Sequence, residues 1–206
     1  LDGDADRVII LDELGNEIDG DQLIALIANN LKSENKIQGD TIVSTVMSNL
    51  GLLRYLKDLG LNLFRTPVGD RYVSEIMKEK GFNFGGEKSG HIIMTDYSST
   101  GDGLLAALYF LSILKDSGKT TSQLLNVFKP TPQKLLNLNF ESKDDPLDNP
   151  EFNKTINELR KKISDSGEIL VRKSGTESVI RIMIQHNDTE IFEQILREIN
   201  YMISKL

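Results

Sequence analysis

Short apolar runs alternate with longer amphipathic stretches over residues 8–114, and this alternation limits the fold more than any other feature of the sequence. The runs 8–11 and 41–46 are rich in β-branched residues and have the length of buried strands. The stretches 21–31 and 50–59 carry apolar residues at helical spacing. This alternation of strands and helices predicts an α/β unit with a mixed, mainly parallel sheet.

A boundary is expected near residue 130, because Pro130 and Pro132 cannot lie inside a helix. The remainder reads as an alternating strand, a polar loop, a helix, two strands around a turn, and a long amphipathic helix, which together predict a small α+β domain. The predicted segments after the boundary are 135–140, 144–150, 151–164, 168–172, 179–185 and 189–206.

The amino-acid composition excludes several classes of function. The chain of 206 residues has no cysteine, which excludes disulfides, thiolate catalysis and cysteine-held metals. Its net charge of -7 argues against a nucleic-acid partner, although a few local cations can still bind an anionic substrate. No apolar run is long enough for a membrane span, so no membrane partner is expected. The absence of cysteine fits a cytoplasmic location, which is the expectation.

An acidic loop occupies residues 2–7, with the sequence DGDADR. Asp2, Asp4 and Asp6 offer three carboxylates at alternating positions, a donor set that suits a hard divalent cation. One alternative is a calcium-binding EF-hand, but its sixth position requires glycine and Arg7 stands there, followed by a strand-like run. A solvated acidic turn is the other alternative.

A second loop, GGEKSGH at residues 85–91, lies between two strand-like stretches. Glu87 and Ser89 can hydrogen-bond vicinal hydroxyls, and His91 can act as a general acid or base near neutral pH. A structural histidine and a turn held by side-chain hydrogen bonds remain alternatives.

A third loop, RKSGTE at residues 172–177, follows a predicted strand. Arg172 offers a fork to phosphate, Ser174 and Thr176 offer hydroxyls, and Gly175 lets successive backbone N–H groups turn toward an anion. Arg181 on the next strand can add charge. The alternative is a hairpin turn with surface charges.

The loop from residue 66 to residue 72 joins a strand to a helix, where ligands bind in open α/β sheets. Asp70 is interpreted as a helix cap and Arg71 as facing a ligand. Residues 99–103 are interpreted as a cap for the helix that follows, and His186 as a surface residue.

The three loops, in this order on α/β domains, resemble the α-D-phosphohexomutase family, and the resemblance covers essentially the whole chain. Residues 45–51 and 68–73 resemble the subgroup that interconverts glucosamine 6-phosphate and glucosamine 1-phosphate for peptidoglycan synthesis. Related mutases of glucose or mannose phosphates, and a non-catalytic sugar-phosphate-binding module, stay open as alternatives.

The resemblance implies a chain taken from a four-domain enzyme. Residues 1–19 would be the tail of domain 2 with the metal loop, 20–130 the α/β sugar-binding domain 3, and 131–206 the α+β phosphate-binding domain 4. The phosphoserine that exchanges phosphate with the substrate would lie in domain 1. The chain alone is therefore expected to be inactive without the N-terminal domains of the same enzyme, and a homodimer is left open.

The resemblance also assigns roles to individual residues. It implies that Mg²⁺ is the cofactor and a hexosamine phosphate is the substrate. The implied metal ligands are Asp2, Asp4 and Asp6; the implied catalytic residues are Arg7 and His91; and the implied substrate-binding residues are Arg71, Glu87, Ser89, Arg172, Ser174, Gly175 and Thr176.

Overall fold

The computed structural model describes residues 1–140, 145–163, 166–175 and 177–205. The chain forms two compact units, unit 1 from Leu1 to Pro130 and unit 2 from Thr131 to Leu206. The assignment of residues 1–19 to a preceding domain stays a prediction.

Unit 1 is built on a mixed sheet with the strand order β4-β3-β5-β6. The central strand β3 runs parallel to both β4 and β5, and β6 is antiparallel to β5, which confirms the mixed, mainly parallel sheet. The elements of unit 1 are β1 (Ile10–Leu11), β2 (Glu17–Ile18), α1 (Gly20–Ser33), β3 (Thr41–Thr45), α2 (Leu50–Asp58), β4 (Asn62–Thr66), α3 (Asp70–Lys80), β5 (Phe84–Gly86), β6 (Ile92–Met94), α4 (Gly103–Ser117) and α5 (Thr121–Leu124).

Helices cover both faces of this sheet. All five residues of β3 are buried. Neighbouring side chains on a strand point to opposite faces, and accordingly Ile42 joins the large core with α1, α2 and α4 while Val43 joins a smaller cluster with α3. The strand also buries hydroxyl side chains, and its high content of β-branched residues is what makes the run 41–46 recognisable in the sequence.

The run 8–11 forms a shorter strand than its composition predicts. Only Ile10 and Leu11 pair with β2, in a short hairpin. The Asp12 carboxylate closes its turn by accepting hydrogen bonds from the backbone N–H groups of Leu14 and Asn16, at 2.9 and 2.8 Å. This hairpin leads directly from the acidic loop into α1.

Unit 2 is an antiparallel sheet with the order β7-β9-β8, packed against two helices. This arrangement confirms the predicted α+β class. The elements are β7 (Gln133–Asn139), α6 (Pro150–Ile163), β8 (Gly167–Lys173), β9 (Val179–His186) and α7 (Thr189–Ile203).

His186 is not a surface residue, contrary to the sequence interpretation. It is 2% exposed, at the end of the central strand β9, and its ring packs beside Gly167 on the neighbouring strand. The polar residues that follow it suggested a turn at the surface, but its position between two strands buries the ring. Within the described ranges, no helix combines the length and hydropathy needed to cross a bilayer.

Candidate functional site

The acidic loop brings its carboxylates together. Asp2, Asp4 and Asp6 each offer an oxygen within 4.8 Å of the others. The chain turns back on itself because Ala5 adopts a left-handed conformation, with φ of 61°. The Arg7 backbone N–H then donates to Asp2 Oδ1 at 3.1 Å. The loop continues into Val8 and the hairpin rather than into a helix, which argues against the EF-hand.

Electrostatics within this loop favour a cation. Burial and the hydrogen bond with Asp2 raise the pKa of Asp6, and the charge of Asp4 acts in the same direction. Burial also acts to raise the pKa of Asp2, but hydrogen bonds from the Arg7 backbone and Asp6 outweigh it and lower that pKa. Asp6 Oδ1 is buried without a hydrogen-bond partner in the described part of the chain. A crowded set of three carboxylates that repel one another fits a hard divalent cation such as Mg²⁺.

The loop 85–91 lies directly against the acidic loop. The Val8 backbone N–H donates to the Gly90 carbonyl at 3.1 Å, and Arg7 forms an isolated bridge with His91. Gly90 has a φ of 87°, and an added Cβ there would collide with the Val8 carbonyl. Glycine is therefore required at this position both for its conformation and for the close approach of the two loops.

His91 meets the acidic loop through its side chain. It is 1% exposed, and its Nδ1 lies 3.0 Å from Asp6 Oδ2. The predicted acid or base is therefore beside the candidate metal ligands and has almost no exposed surface.

Glu87 connects the loop 85–91 with the predicted loop from residue 66 to residue 72. Its side chain is buried, and Oε1 accepts a hydrogen bond from the Gly69 backbone N–H at 3.1 Å. Arg71, two residues along, is exposed and pairs with Glu75 on its own helix at 2.7 Å. Ser89 is exposed at the tip of the same turn as Glu87.

The sequence interpretation missed two acidic residues at the start of α1. Asp19 caps the helix and pairs with Lys88 at 2.7 Å. Asp21 is fully buried, and its Oδ2 accepts from the Asn49 backbone N–H at 2.8 Å. Burial, with the nearby charge of Asp19, raises the pKa of Asp21 to about 7. The sequence does contain a signal that points to these two residues, because residues 19–21 repeat the Asp-Gly-Asp of residues 2–4.

In unit 2, the loop after β8 closes the hairpin to β9. Ser174 is buried, and its backbone N–H donates to the Val179 carbonyl at 2.8 Å. Gly175 is exposed, with open space where a side chain would stand. Thr176 lies outside the described residues.

Two arginines face each other across this hairpin. Arg172 on β8 is in register with Arg181 on β9. Arg181 pairs with Glu177 at 3.1 Å, and Lys173 pairs with Asp145 at 2.6 Å. Two cations opposite one another repel, and an anion between them would relieve the repulsion.

Family models match most of the chain. The model described as "Phosphoglucomutase/phosphomannomutase, alpha/beta/alpha domain III" matches residues 19–131, and the model of the C-terminal domain matches residues 135–200. The chain belongs to the phosphoglucomutase/phosphomannomutase family. This is the family of α-D-phosphohexomutases that the three sequence loops resemble, and the resemblance is confirmed.

Among curated family members, the phosphoglucosamine mutase of Paracoccus denitrificans is 48% identical over 205 residues, which is 100% of this chain and 46% of that protein. The phosphoglucosamine mutase of Ruegeria pomeroyi is 52% identical over 188 residues, which is 91% of this chain and 42% of that protein. The chain thus spans less than half the length of these relatives.

Solved structures of the family share the fold. A phosphoglucomutase/phosphomannomutase family protein from Burkholderia thailandensis has a TM-score of 0.78 at 24% identity, over 98% of this chain and 44% of that one. The N-acetylphosphoglucosamine mutase of Aspergillus fumigatus, in complex with GlcNAc-6P and magnesium, has a TM-score of 0.77 at 19% identity, over 96% of this chain and 50% of that one.

Proposed function

We propose that the chain is the metal-, sugar- and phosphate-binding part of a phosphoglucosamine mutase, which interconverts glucosamine 6-phosphate and glucosamine 1-phosphate. The observation that carries the proposal is the convergence of Asp2, Asp4 and Asp6 beside the loop 85–91. The choice of amino sugar is supported by phosphoglucosamine mutases that are 48% and 52% identical to this chain.

Asp2, Asp4 and Asp6 would hold Mg²⁺. The bound cation would neutralise charge on a phosphoryl group during transfer, which is the main requirement of this chemistry. Arg7 is proposed as a catalytic residue, because its guanidinium is about half exposed and its Nε lies 3.9 Å from oxygens of both Asp2 and Asp6. It could therefore reach a phosphoryl oxygen that the cation also contacts.

The remaining predicted residues would bind the sugar phosphate. Glu87 and Ser89 would hold sugar hydroxyls, and Arg71, in the first turn of α3, would contact the substrate. A phosphate group would be bound by Arg172, Ser174, Gly175 and Thr176, and the cross-strand position of Arg181 supports an anion there. The phosphoserine would come from outside this chain, so the chain alone would be inactive. A homodimer and a cytoplasmic location stay predictions.

The proposal is tested by supplying the chain with the domains that it lacks and measuring mutase activity. The chain is fused behind the part of the Paracoccus denitrificans relative that it does not match, and that relative's own C-terminal part, joined at the same point, is the control. The fusion is expected to convert glucosamine 6-phosphate in a coupled assay and to lose activity when EDTA removes the metal.

Equal or faster turnover of glucose 1-phosphate or mannose 1-phosphate would reassign the substrate within the family. An inactive fusion beside an active control, with sugar phosphate still bound, would favour the non-catalytic binding module instead.

A further inference from the structure

The turn that carries Glu87 and Ser89 is bound by the N-cap and the first residue of α1. The Gly20 backbone N–H donates to the Lys88 carbonyl at 3.2 Å, and Lys88 Nζ lies 2.7 Å from Asp19 Oδ2. Two successive residues therefore bind both the backbone and the side chain of Lys88. Because Lys88 stands between the two residues proposed to hold sugar hydroxyls, its position sets the position of both.

The glycine at position 20 is explained by this close contact. A Cβ added to Gly20 would collide with the carbonyl oxygens of Glu87 and Lys88. Alanine forms helices more readily than glycine, so the needs of α1 alone do not account for a glycine at its first position. The close approach of the turn does account for it.

The two carboxylate oxygens of Asp19 have separate partners. Oδ1 accepts a hydrogen bond from the Asp21 backbone N–H at 2.9 Å, which caps α1, and Oδ2 forms the ion pair with Lys88. Asparagine is as good a helix cap as aspartate. Asp19→Asn therefore keeps the cap and removes only the charge that pairs with Lys88.

Helix α1 gives the turn a fixed reference in the core of unit 1. The helix is buried along most of its length. In its first turn, the Gln22 side chain donates to the Phe128 carbonyl at 2.9 Å and accepts from the Val127 backbone N–H at 2.9 Å. The contacts of Asp19 and Gly20 thus connect the turn to a helix that is itself held firmly in place.

We propose that Asp19, Gly20 and Lys88 are positioning residues for the sugar, because they fix the turn from which Glu87 and Ser89 would reach its hydroxyls. The inference rests on the proposed function and adds three residues that would not themselves touch the substrate. It also gives a role to the second Asp-Gly-Asp segment of the sequence, whose first two residues bind the turn.

The experiment combines kinetics of the fusion enzyme with hydrogen exchange of the isolated chain. KM and kcat are measured for glucosamine 6-phosphate, together with the inhibition constant of inorganic phosphate, which has no sugar. Mass spectrometry follows amide exchange in the turn 87–90. The variants are Asp19→Asn, Lys88→Met, their combination, Lys88→Arg and Gly20→Ala. The control is Lys32→Met, which breaks the ion pair of Lys32 with Asp40 near the other end of α1.

Asp19→Asn and Lys88→Met should each raise KM about three- to fivefold, with kcat and inhibition by phosphate changed less than about twofold. The double variant should be no worse than either single one, because both remove the same ion pair. Lys88→Arg keeps the charge and should keep the original KM, as should Lys32→Met. Gly20→Ala displaces the turn and should raise KM at least about tenfold. Exchange in the turn should become faster in the variants whose KM rises.

An unchanged KM in Asp19→Asn, Lys88→Met and Gly20→Ala would overturn the positioning role, even with faster exchange in the turn. A fall in kcat at constant KM would also overturn it, since that is the result of less folded enzyme. So would phosphate inhibition that weakens as much as KM rises, because the effect would then not concern the sugar.

Circular dichroism shows whether Gly20→Ala is folded, and if it is not, the cycle of Asp19→Asn and Lys88→Met decides. A different failure would point to the proposed function. If the original fusion does not convert glucosamine 6-phosphate while the control fusion does, the proposed function is wrong, and the role of these residues in sugar binding with it.

Discussion

The two candidate loops hold their charges in different ways. In unit 1, the acidic loop lies against the buried His91, and Glu87 and Asp21 elsewhere in the unit are also less than 10% exposed. In unit 2, the cations around the loop after β8 pair at or near the surface, Lys173 with Asp145 and Arg181 with Glu177. The first loop keeps Asp2 and Asp4 exposed but has a buried histidine against Asp6, whereas the second loop is surrounded by ion pairs that water and salt can reach.

The difference predicts which solution conditions should affect each unit. A buried carboxyl group that changes its proton makes stability depend on pH. Exposed ion pairs contribute little to stability and are screened by salt. Unit 1 should therefore respond mainly to pH and to loss of buried partners, and the proposed anion site of unit 2 mainly to ionic strength.

The largest effect is expected at Asp21. Its pKa of about 7 in the folded chain is above the usual 3.8, so its contribution to stability is complete below pH 3.8 and is lost as pH rises through about 7. Asp21→Asn, whose amide oxygen can still accept from Asn49, should remove this loss. At pH 8 the variant should gain up to about 4 kcal/mol of unfolding free energy relative to pH 4, compared with the original chain.

Urea unfolding measured from pH 4 to pH 8 checks this expectation. Asp58→Asn, at the exposed C-terminal end of α2, is the matched control and should leave the pH profile unchanged. Parallel profiles for the original chain and Asp21→Asn would mean that Asp21 is not the source of a pH response in unit 1.

The next effect is loss of metal affinity on Asp4→Asn. The substitution removes one of three converging carboxylates that are proposed as ligands, and Mg²⁺ affinity should fall by roughly 100-fold in a calorimetric titration. Asp12→Asn changes the charge equally but lies in the hairpin turn outside the cluster, so its affinity should stay within about twofold. Similar losses in the two variants would indicate general electrostatic attraction instead of a metal site.

A smaller effect is expected for Arg172→Ala in unit 2. Losing a charge-assisted contact should raise KM for glucosamine 6-phosphate in the fusion enzyme by about tenfold, with little change in kcat. The ratio between variant and original should shrink as NaCl is raised, because the lost contact is screened. Arg197→Ala, exposed on α7, is the charge-matched control, and an equal rise in its KM would indicate general electrostatic attraction. Unaltered kinetics in Arg172→Ala would argue for a structural turn after β8.

The parts of the site that were predicted from sequence share one property, which is that they lie within single short segments. Three carboxylates at alternating positions stand within five residues of one another in the sequence, and β3 is marked by a run of β-branched residues. The contact of His91 with Gly101 could not be found this way, because it depends on how the segment before α4 packs on the acidic loop. The burial of Asp21 likewise depends on the start of α2 lying beside the start of α1.

The smallest effect concerns the free energy that the left-handed backbone conformation in the acidic loop costs. Ala5 has a φ of 61°, which is unfavourable for a residue with a Cβ, so Ala5→Gly should stabilise the chain by about 1 kcal/mol in urea unfolding. Gly15 in the hairpin turn has a φ of 83° and open space around it, so Gly15→Ala should destabilise by a similar amount, about 1 kcal/mol, through strain alone. If Ala5→Gly stabilises the fold but weakens Mg²⁺ binding, the strained alanine helps to keep the three carboxylates together. If stability and affinity are both unchanged, the left-handed turn costs nothing, and the buried neighbours alone account for the order of the loop.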